Sequence, residues 1–310
     1  MPLPSMPPDG HTAELPDKPS GVLVFNANDP SGASGLAADI GAIASIGVHP
    51  LPIMTGAYAR DTAQIFDFYA LDDEAVGEQA QAVLEDIGVQ AMLLGFAGTP
   101  DNLGVVAGVA ADYPDAPLIA YMPDLSWWQP DLIDGYHDAF AQLILPQAAV
   151  LVGNHSTLRR WLLPDWSGDR PPGARDLAMA AGELGTHVTL VTGIARPERG
   201  IDNTLATPNA VLATESVQSL EGSFAGAGAT LSAAFAALIA SDCELTEAFS
   251  EALSYLGGCL EAAYRPGMGN AVPDRLFWAQ AAAEDATTAS GTDYDSSSRL
   301  QELSPHDTQH

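Results

Sequence analysis

Lysine is nearly missing from this chain of 310 residues: only Lys18 occurs, inside a proline-rich opening segment. A P-loop GxxxxGK, a protein-kinase strand lysine and a Schiff-base lysine each need a lysine in the folded core, so those three chemistries are excluded. Positive charge in general is scarce, with 11 Lys and Arg against 40 Asp and Glu and a formal charge of -29. Such a surface repels nucleic acid and anionic membranes, and neither is expected as a partner. The acidity fits adaptation to high salt, where screening shortens self-repulsion, and equally an acidic protein from a genome that favours Ala and Arg. Cysteine is scarce too. Cys243 and Cys259 match no CxxC spacing, so neither a zinc site nor a disulfide framework is indicated. No run reaches 18 apolar residues, and the first 20 residues have neither the basic region nor the apolar segment of an export signal. A cytoplasmic location is the expectation.

What the chain does have is 47% hydrophobic residues, enough for one large core, and an alternating pattern. Residues 1–20 and 283–310 are rich in Pro, Ser, Thr and acid and are expected to be disordered, leaving 21–282 as one folded domain. Within it, short apolar runs alternate with segments of helical period: GVLVFNA with GLAADIGAIASIG, HPLPIMTGAY with DEAVGEQAQAVLEDIG, VQAMLLGFAG with NLGVVAGVAADY. PLIAYMPD with DLIDGYHDAFAQLI, AAVLVGNH with RDLAMAAGELG, and HVTLVTGI continue the series. NAVLATESVQS reads as a further short strand, and two helices, ATLSAAFAALIAS and LTEAFSEALSYLGGCLEAAY, follow. The alternation predicts a three-layer α/β fold with a central, mostly parallel sheet flanked by helices.

Ligands of open α/β sheets sit at the carboxyl ends of the strands, which directs attention to three loops. NANDPSGASG, residues 26–35, has small residues that let a ligand approach backbone amides, with Asp39 one turn into the next helix; Asp-Pro-Ser-Gly is equally an ordinary turn before a helix. GSFAGAGA, residues 222–229, opens a helix of small residues, and a helix start carries about half a unit of positive charge, so it suits phosphate; a Gly-rich loop needed only for tight helix packing is the alternative. RPGMGNAV, residues 265–272, is on its own a turn. No GxSxG elbow is present, which removes a serine hydrolase with His155 as base.

In order and spacing, NDPSGASGLAADIGAIASIGVHPLPIMTGAYARDT, LLGFAG, VLVGNH, GAGATLSAAFAALIA and GMGNAVPDRLF resemble the hydroxymethylpyrimidine/phosphomethylpyrimidine kinases of the ribokinase-like superfamily. The resemblance implies ATP with Mg²⁺ as phosphoryl donor, a pyrimidine alcohol or its monophosphate as the small-molecule acceptor, a role in thiamine synthesis, and a homodimer. It places an anion hole at Gly226, Ala227, Gly228 and Ala229, substrate contacts at Asp29, Asp39, Arg60 and Phe96, nucleotide contacts at Asn154, Thr192 and Gly193, and a metal ligand at Asp124.

The chain also departs from that pattern. Ala229 stands where the family has a cysteine, or the superfamily an aspartate, that takes the proton from the attacking hydroxyl. Thr157 replaces the glutamate of Asn-x-x-Glu, Val191–Ile194 replaces Lys-Gly-Gly-His, and Tyr121-Met122 falls on an Asp-Pro. Arg60 replaces a glutamine that reads the pyrimidine; a guanidinium has only donors and suits a carboxylate or phosphate better, unless it is simply a solvated arginine paired with Asp61 or another acid. Two readings follow. One is a divergent kinase, possible substrates including a different anionic small molecule; the other is a nucleotide- or pyrimidine-binding paralogue without turnover.

Overall fold

A computed structural model describes residues 19–196, 200–218 and 220–279. Of the expected tails, 1–20 and 283–310, residues 1–18 and 283–310 lie outside the described residues. The described residues up to Arg275 form one compact unit, and Leu276 begins a second, of which Leu276–Ala279 are described.

The first βαβ passage sets the pattern. Strand β1 (Gly21–Asn28) leads through α1 (Gly35–Ser45) to β2 (His49–Arg60), which pairs parallel to β1. The chain then turns back in antiparallel β3 (Ile65–Ala70), and α2 (Asp73–Leu84) carries it to the other side of β1, where β4 (Ala91–Leu94) pairs parallel. Helix α3 (Pro100–Asp112), β5 (Leu118–Met122), α4 (Pro130–Ala139) with a π-helical continuation Phe140–Ile144, and β6 (Ala148–Asn154) follow. Two helices, α5 (His155–Leu162) and α6 (Ala174–Glu183), precede β7 (Val188–Ala195), and β8 (Gly200–Ala206) and β9 (Val211–Gln218) add an antiparallel edge. Helices α7 (Ala227–Ala240) and α8 (Leu245–Glu261) complete the fold. The sheet has nine strands in the order β3-β2-β1-β4-β5-β6-β7-β8-β9.

Strand alternation sorts side chains into two cores. Leu23, Phe25 and Ala27 of β1 face the layer of α2 to α6, whereas Val22 and Val24 face α1, α7 and α8. Helix α7 is buried nearly all round, from Ala229 to Leu238, which explains why its sequence has no polar stripe. Its many alanines let it lie close against the sheet, and so its first turn ends up at the carboxyl ends of the central strands. Because β1 lies between β2 and β4, the order of connection reverses beside it, and the loop after β1 opens onto the crevice that such a reversal creates. Among the described residues no helix is long and apolar enough to cross a membrane.

Candidate active site

The loop after β1 is built around Asp29. Its Oδ1 accepts from Ser31 N at 2.8 Å and Ser31 Oγ at 2.6 Å, and its Oδ2 from Ser34 N at 2.8 Å. Arg60, at the end of β2, places Nη1 3.3 Å from Oδ2, with 10% of its side chain exposed and none of that of Asp29. Arg60 also donates from Nε to the Asp61 carbonyl at 3.0 Å. It is therefore turned inward and paired with Asp29, not a solvated arginine.

Asp39 and Phe96 lie behind this loop and are joined by one side chain. Asn26 donates from Nδ2 to Asp39 Oδ2 at 2.7 Å, while its Oδ1 accepts from Ala27 N at 2.8 Å and from Phe96 N at 2.9 Å. Burial pushes the Asp39 carboxyl up to about 7, against the opposing pull of the Asn26 hydrogen bond and the Arg275 charge. Phe96 is buried within an aromatic group, with ring centroids 4.9 Å from Phe68, 5.8 Å from Tyr58 and 5.2 Å from Trp128. Asp29, Asp39 and Phe96, expected at the acceptor, are all fully buried, and Arg60 is the one of the four with surface to offer.

The second half of the site is the start of α7. Gly226 precedes the helix with φ of 84°, a left-handed conformation that glycine adopts without strain. A Cβ there would overlap the carbonyl oxygen of Ala33, so glycine is also what lets the two loops touch. The helix begins at Ala227 rather than at Ala229, which makes Ala227, Gly228 and Ala229 its first three residues, and no side chain caps them. Their N–H groups are those a helix leaves without an internal partner. Ala229 itself is 3% exposed, a buried methyl.

In front of this helix start is a cavity of about 400 Å³, lined among others by Tyr121, Asp124, Asn154, Thr192, Gly193 and Gly228. That volume falls in the ordinary range for small-molecule sites. Asn154 ends β6 and caps α5, its Oδ1 accepting from Ser156 N at 2.9 Å and Ser156 Oγ at 2.8 Å. Gly193 has φ of 71° and donates to Asn203 Oδ1 at 3.2 Å. Thr192 Oγ1 donates to the Gly153 carbonyl at 3.4 Å. The structure thus brings Asn154, Thr192 and Gly193, expected at the nucleotide, and Ala227 and Gly228, two of the four residues expected at the anion hole, to one cavity.

Two further residues were not singled out from the sequence as contributors. The Tyr121 hydroxyl lies against the Cα of Gly228, in space that a Cβ would take. Burial, with the charges of Asp124 and Asp39, pushes its pKa to about 12, so it is a phenol and a donor at neutral pH. Arg275 lies behind α7 and hydrogen-bonds both loops. An arginine in so lysine-poor a chain, following the GMGNAV turn, was the available signal.

The donor set does not fit a magnesium ion held by the protein. Among the described residues Asp124 is the one carboxylate lining the cavity, and its Oδ1 is already 2.8 Å from Arg160 Nη2, with Ser126 Oγ donating to Oδ2 at 3.1 Å. Among the described residues no three His, Cys, Asp or Glu side chains are grouped to hold a metal.

The nine-stranded sheet with helices on both faces and a helix start closing a cavity at its carboxyl edge defines a ribokinase-like fold. Bacillus subtilis pyridoxal kinase, in an ADP complex, has the same fold: TM-score 0.75 and 18% identity, with 84% of this chain and 99% of that one covered. Phosphomethylpyrimidine kinase from Clostridium difficile 630 superposes with TM-score 0.62 and 20% identity, over 76% and 99% of the two chains. The family model for phosphomethylpyrimidine kinase matches residues 29–274, and the chain belongs to that family. The hydroxymethylpyrimidine/phosphomethylpyrimidine kinase of Mycobacterium tuberculosis is 29% identical over 265 residues, 84% of this chain and 94% of the relative.

Proposed function

We propose that this chain transfers the γ-phosphoryl group of ATP to a pyrimidine alcohol or its monophosphate, the reaction named for its relatives, in thiamine synthesis. The observation that carries this reading is the cavity: the uncapped start of α7 faces the same space as Asn154, Thr192 and Gly193. Three peptide N–H groups at the positive end of a helix hold phosphate oxygens and neutralise charge that grows during transfer. Tyr121 adds a hydroxyl donor beside Gly228. Magnesium enters as the counter-ion of the ATP, not as a resident of the protein. Arg60 contributes the acceptor-side charge and turns an anionic acceptor into the better substrate. A homodimer in the cytoplasm completes the reading.

Ala229 favours a second reading, a binding protein without turnover, because a buried methyl accepts no proton. Phosphoryl transfer depends mainly on positioning and charge neutralisation, so loss of the base leaves a slow kinase rather than none. A thermal-shift titration with ATP and magnesium tests the shared part. A ligand bound only by the native state stabilises it by about 2.7 kcal/mol at a hundredfold excess over Kd. No shift at millimolar nucleotide rejects the kinase and the nucleotide-binding paralogue, leaving only a pyrimidine-binding one.

A further inference from the structure

Arg275 makes three contacts with one guanidinium. Nη1 donates to the Gly32 carbonyl at 3.1 Å, Nη2 to the Ala33 carbonyl at 2.6 Å, and Nε to Thr230 Oγ1 at 3.0 Å. The first two acceptors belong to the loop organised by Asp29, on the acceptor side. The third belongs to the first turn of α7, on the donor side. Thr230 in turn donates from Oγ1 to the Gly226 carbonyl at 2.9 Å, and Gly226 is pressed against the Ala33 carbonyl that Arg275 already holds. The contacts therefore close a ring: Ala33, Arg275, Thr230, Gly226 and back to Ala33.

This ring joins segments about 200 residues apart in sequence, and no other side chain among the described hydrogen bonds connects loop 29–34 to α7. A guanidinium suits the task because its donors form a rigid planar fork, whereas an ammonium on a flexible stem fixes no angle between two loops. It is also mostly withdrawn from water, with burial pulling its pKa below the usual arginine value. Keeping a buried cation is costly unless hydrogen bonds and an opposite charge compensate it. Here three oxygens and the charge of Asp39 do so.

We infer that Arg275 is a positioning residue: it fixes the acceptor loop 29–34 against the first turn of α7, so that acceptor and donor phosphate are held in one frame and nucleotide binding orders both loops together. This rests on the proposed kinase reading for the identity of the two half-sites. The energetic reason is that an in-line transfer tolerates little misalignment, and a displacement of about 1 Å costs on the order of 10²-fold in rate. Arg275 touches no substrate in this scheme; it acts through the backbone of Gly32 and Ala33 and through Thr230.

Hydrogen exchange on the full chain, with and without ADP, tests the coupling, alongside calorimetric ADP binding. In the unmodified protein ADP is expected to slow exchange both in 226–230 and in 29–35. In Arg275→Lys, which keeps the charge and loses the fork, ADP affinity should stay within about threefold and the 226–230 protection should persist, while the 29–35 protection disappears. Thr230→Val removes one side of the ring and leaves the carbonyl contacts, so it should weaken the 29–35 response without abolishing native stability. Equal 29–35 protection in the unmodified protein and both variants overturns the inference, as does ADP binding that leaves 29–35 unchanged in the unmodified protein. Absence of ADP binding by the unmodified protein overturns the kinase reading itself, and the coupling with it.

Discussion

Arg60 Nη1 lies 3.3 Å from Asp29 Oδ2, joining the end of β2 to the loop after β1 at a point where almost no water reaches. Asp29 does not depend on this partner alone, since three donors from Ser31 and Ser34 already satisfy its carboxylate. Arg60 can thus turn N–H donors toward a bound anion without leaving the Asp29 carboxylate unsatisfied.

Replacing Arg60 by Gln should consequently cost less than the 3–5 kcal/mol typical of a broken buried pair, about 1–2 kcal/mol in urea unfolding, because the carboxylate keeps its other donors. In acceptor competition, Arg60→Gln should shift preference from the anionic monophosphate toward the neutral alcohol by about tenfold, one lost charged hydrogen bond. An unchanged ratio of kcat/KM values for the two acceptors would count against the role given to Arg60.

Tyr121→Phe removes the hydroxyl beside Gly228 and little else. A hydrogen bond to a charged group is worth about 1.5–3 kcal/mol, so nucleotide affinity should fall by roughly 10- to 100-fold. Calorimetry on the variant checks this, and a change below twofold would mean that the phenol does not face the phosphates.

Gly226→Ala tests the contact between the two loops. A non-glycine residue at φ of 84° is strained by about 1–3 kcal/mol, and the added Cβ must also displace the Ala33 carbonyl. The expected loss of at least about 3 kcal/mol is read from the urea midpoint at unchanged m-value. A loss under 1 kcal/mol would show that the loops separate readily.

Asp39 gives stability a pH dependence of definite sign. Its folded pKa is about 7 and its unfolded pKa about 4, so between these values the native state binds the proton and the unfolded state does not. The contribution is fully present below pH 4 and is lost as pH rises through 7. Asp39→Asn should flatten that part of the stability curve; an unaltered slope between pH 5 and 8 would place the titration elsewhere.

Much of the fold was legible because the central strands are buried on both faces and read as apolar runs, GVLVFNA and AAVLVGN among them. Three elements were not. β3, IFDFYA, exposes Phe66 and Tyr69 on an edge, so neither a buried run nor clean polar alternation marks it. β8, GIDNTLA, is paired on both sides yet carries buried Asn203 and Thr204, polar residues that hairpin pairing with β7 and β9 satisfies. α5 is only eight residues long, announced by little beyond its Asn154 cap. In the site, the loops at the strand ends were legible as neighbours: Ala227 and Gly228 line one cavity with Asn154, Thr192 and Gly193. Burial of Asp29, Asp39 and Phe96 was not legible, because it arises from Asn26, the serines of the loop and aromatic rings from four different segments. Arg275 was hidden for a similar reason, two of its partners lying 243 and 242 residues away.

Magnesium supplies a further check. With Asp124 paired to Arg160, the nucleotide-free protein should show no melting-temperature shift in millimolar magnesium chloride beyond that in matched ionic strength. A saturable, magnesium-specific stabilisation abolished by Asp124→Asn would instead establish a protein-held ion.

The central claim is that a phosphoryl-transfer site survives here without its side-chain base, and steady-state ADP release with hydroxymethylpyrimidine phosphate, comparing the unmodified protein with Ala229→Cys and Ala229→Asp, tests it most directly. A general base is worth about 10²–10⁴-fold and a median enzyme turns over at about 10 s⁻¹, so the unmodified protein should run at roughly 0.001–0.1 s⁻¹ above the acceptor-free background. Restoring a proton acceptor at the start of α7, where the helix end keeps it ionised, should raise turnover by about 10²-fold. Acceptor-dependent ADP release at or above 1 s⁻¹ by the unmodified protein, or none from any of the three proteins, would contradict the account.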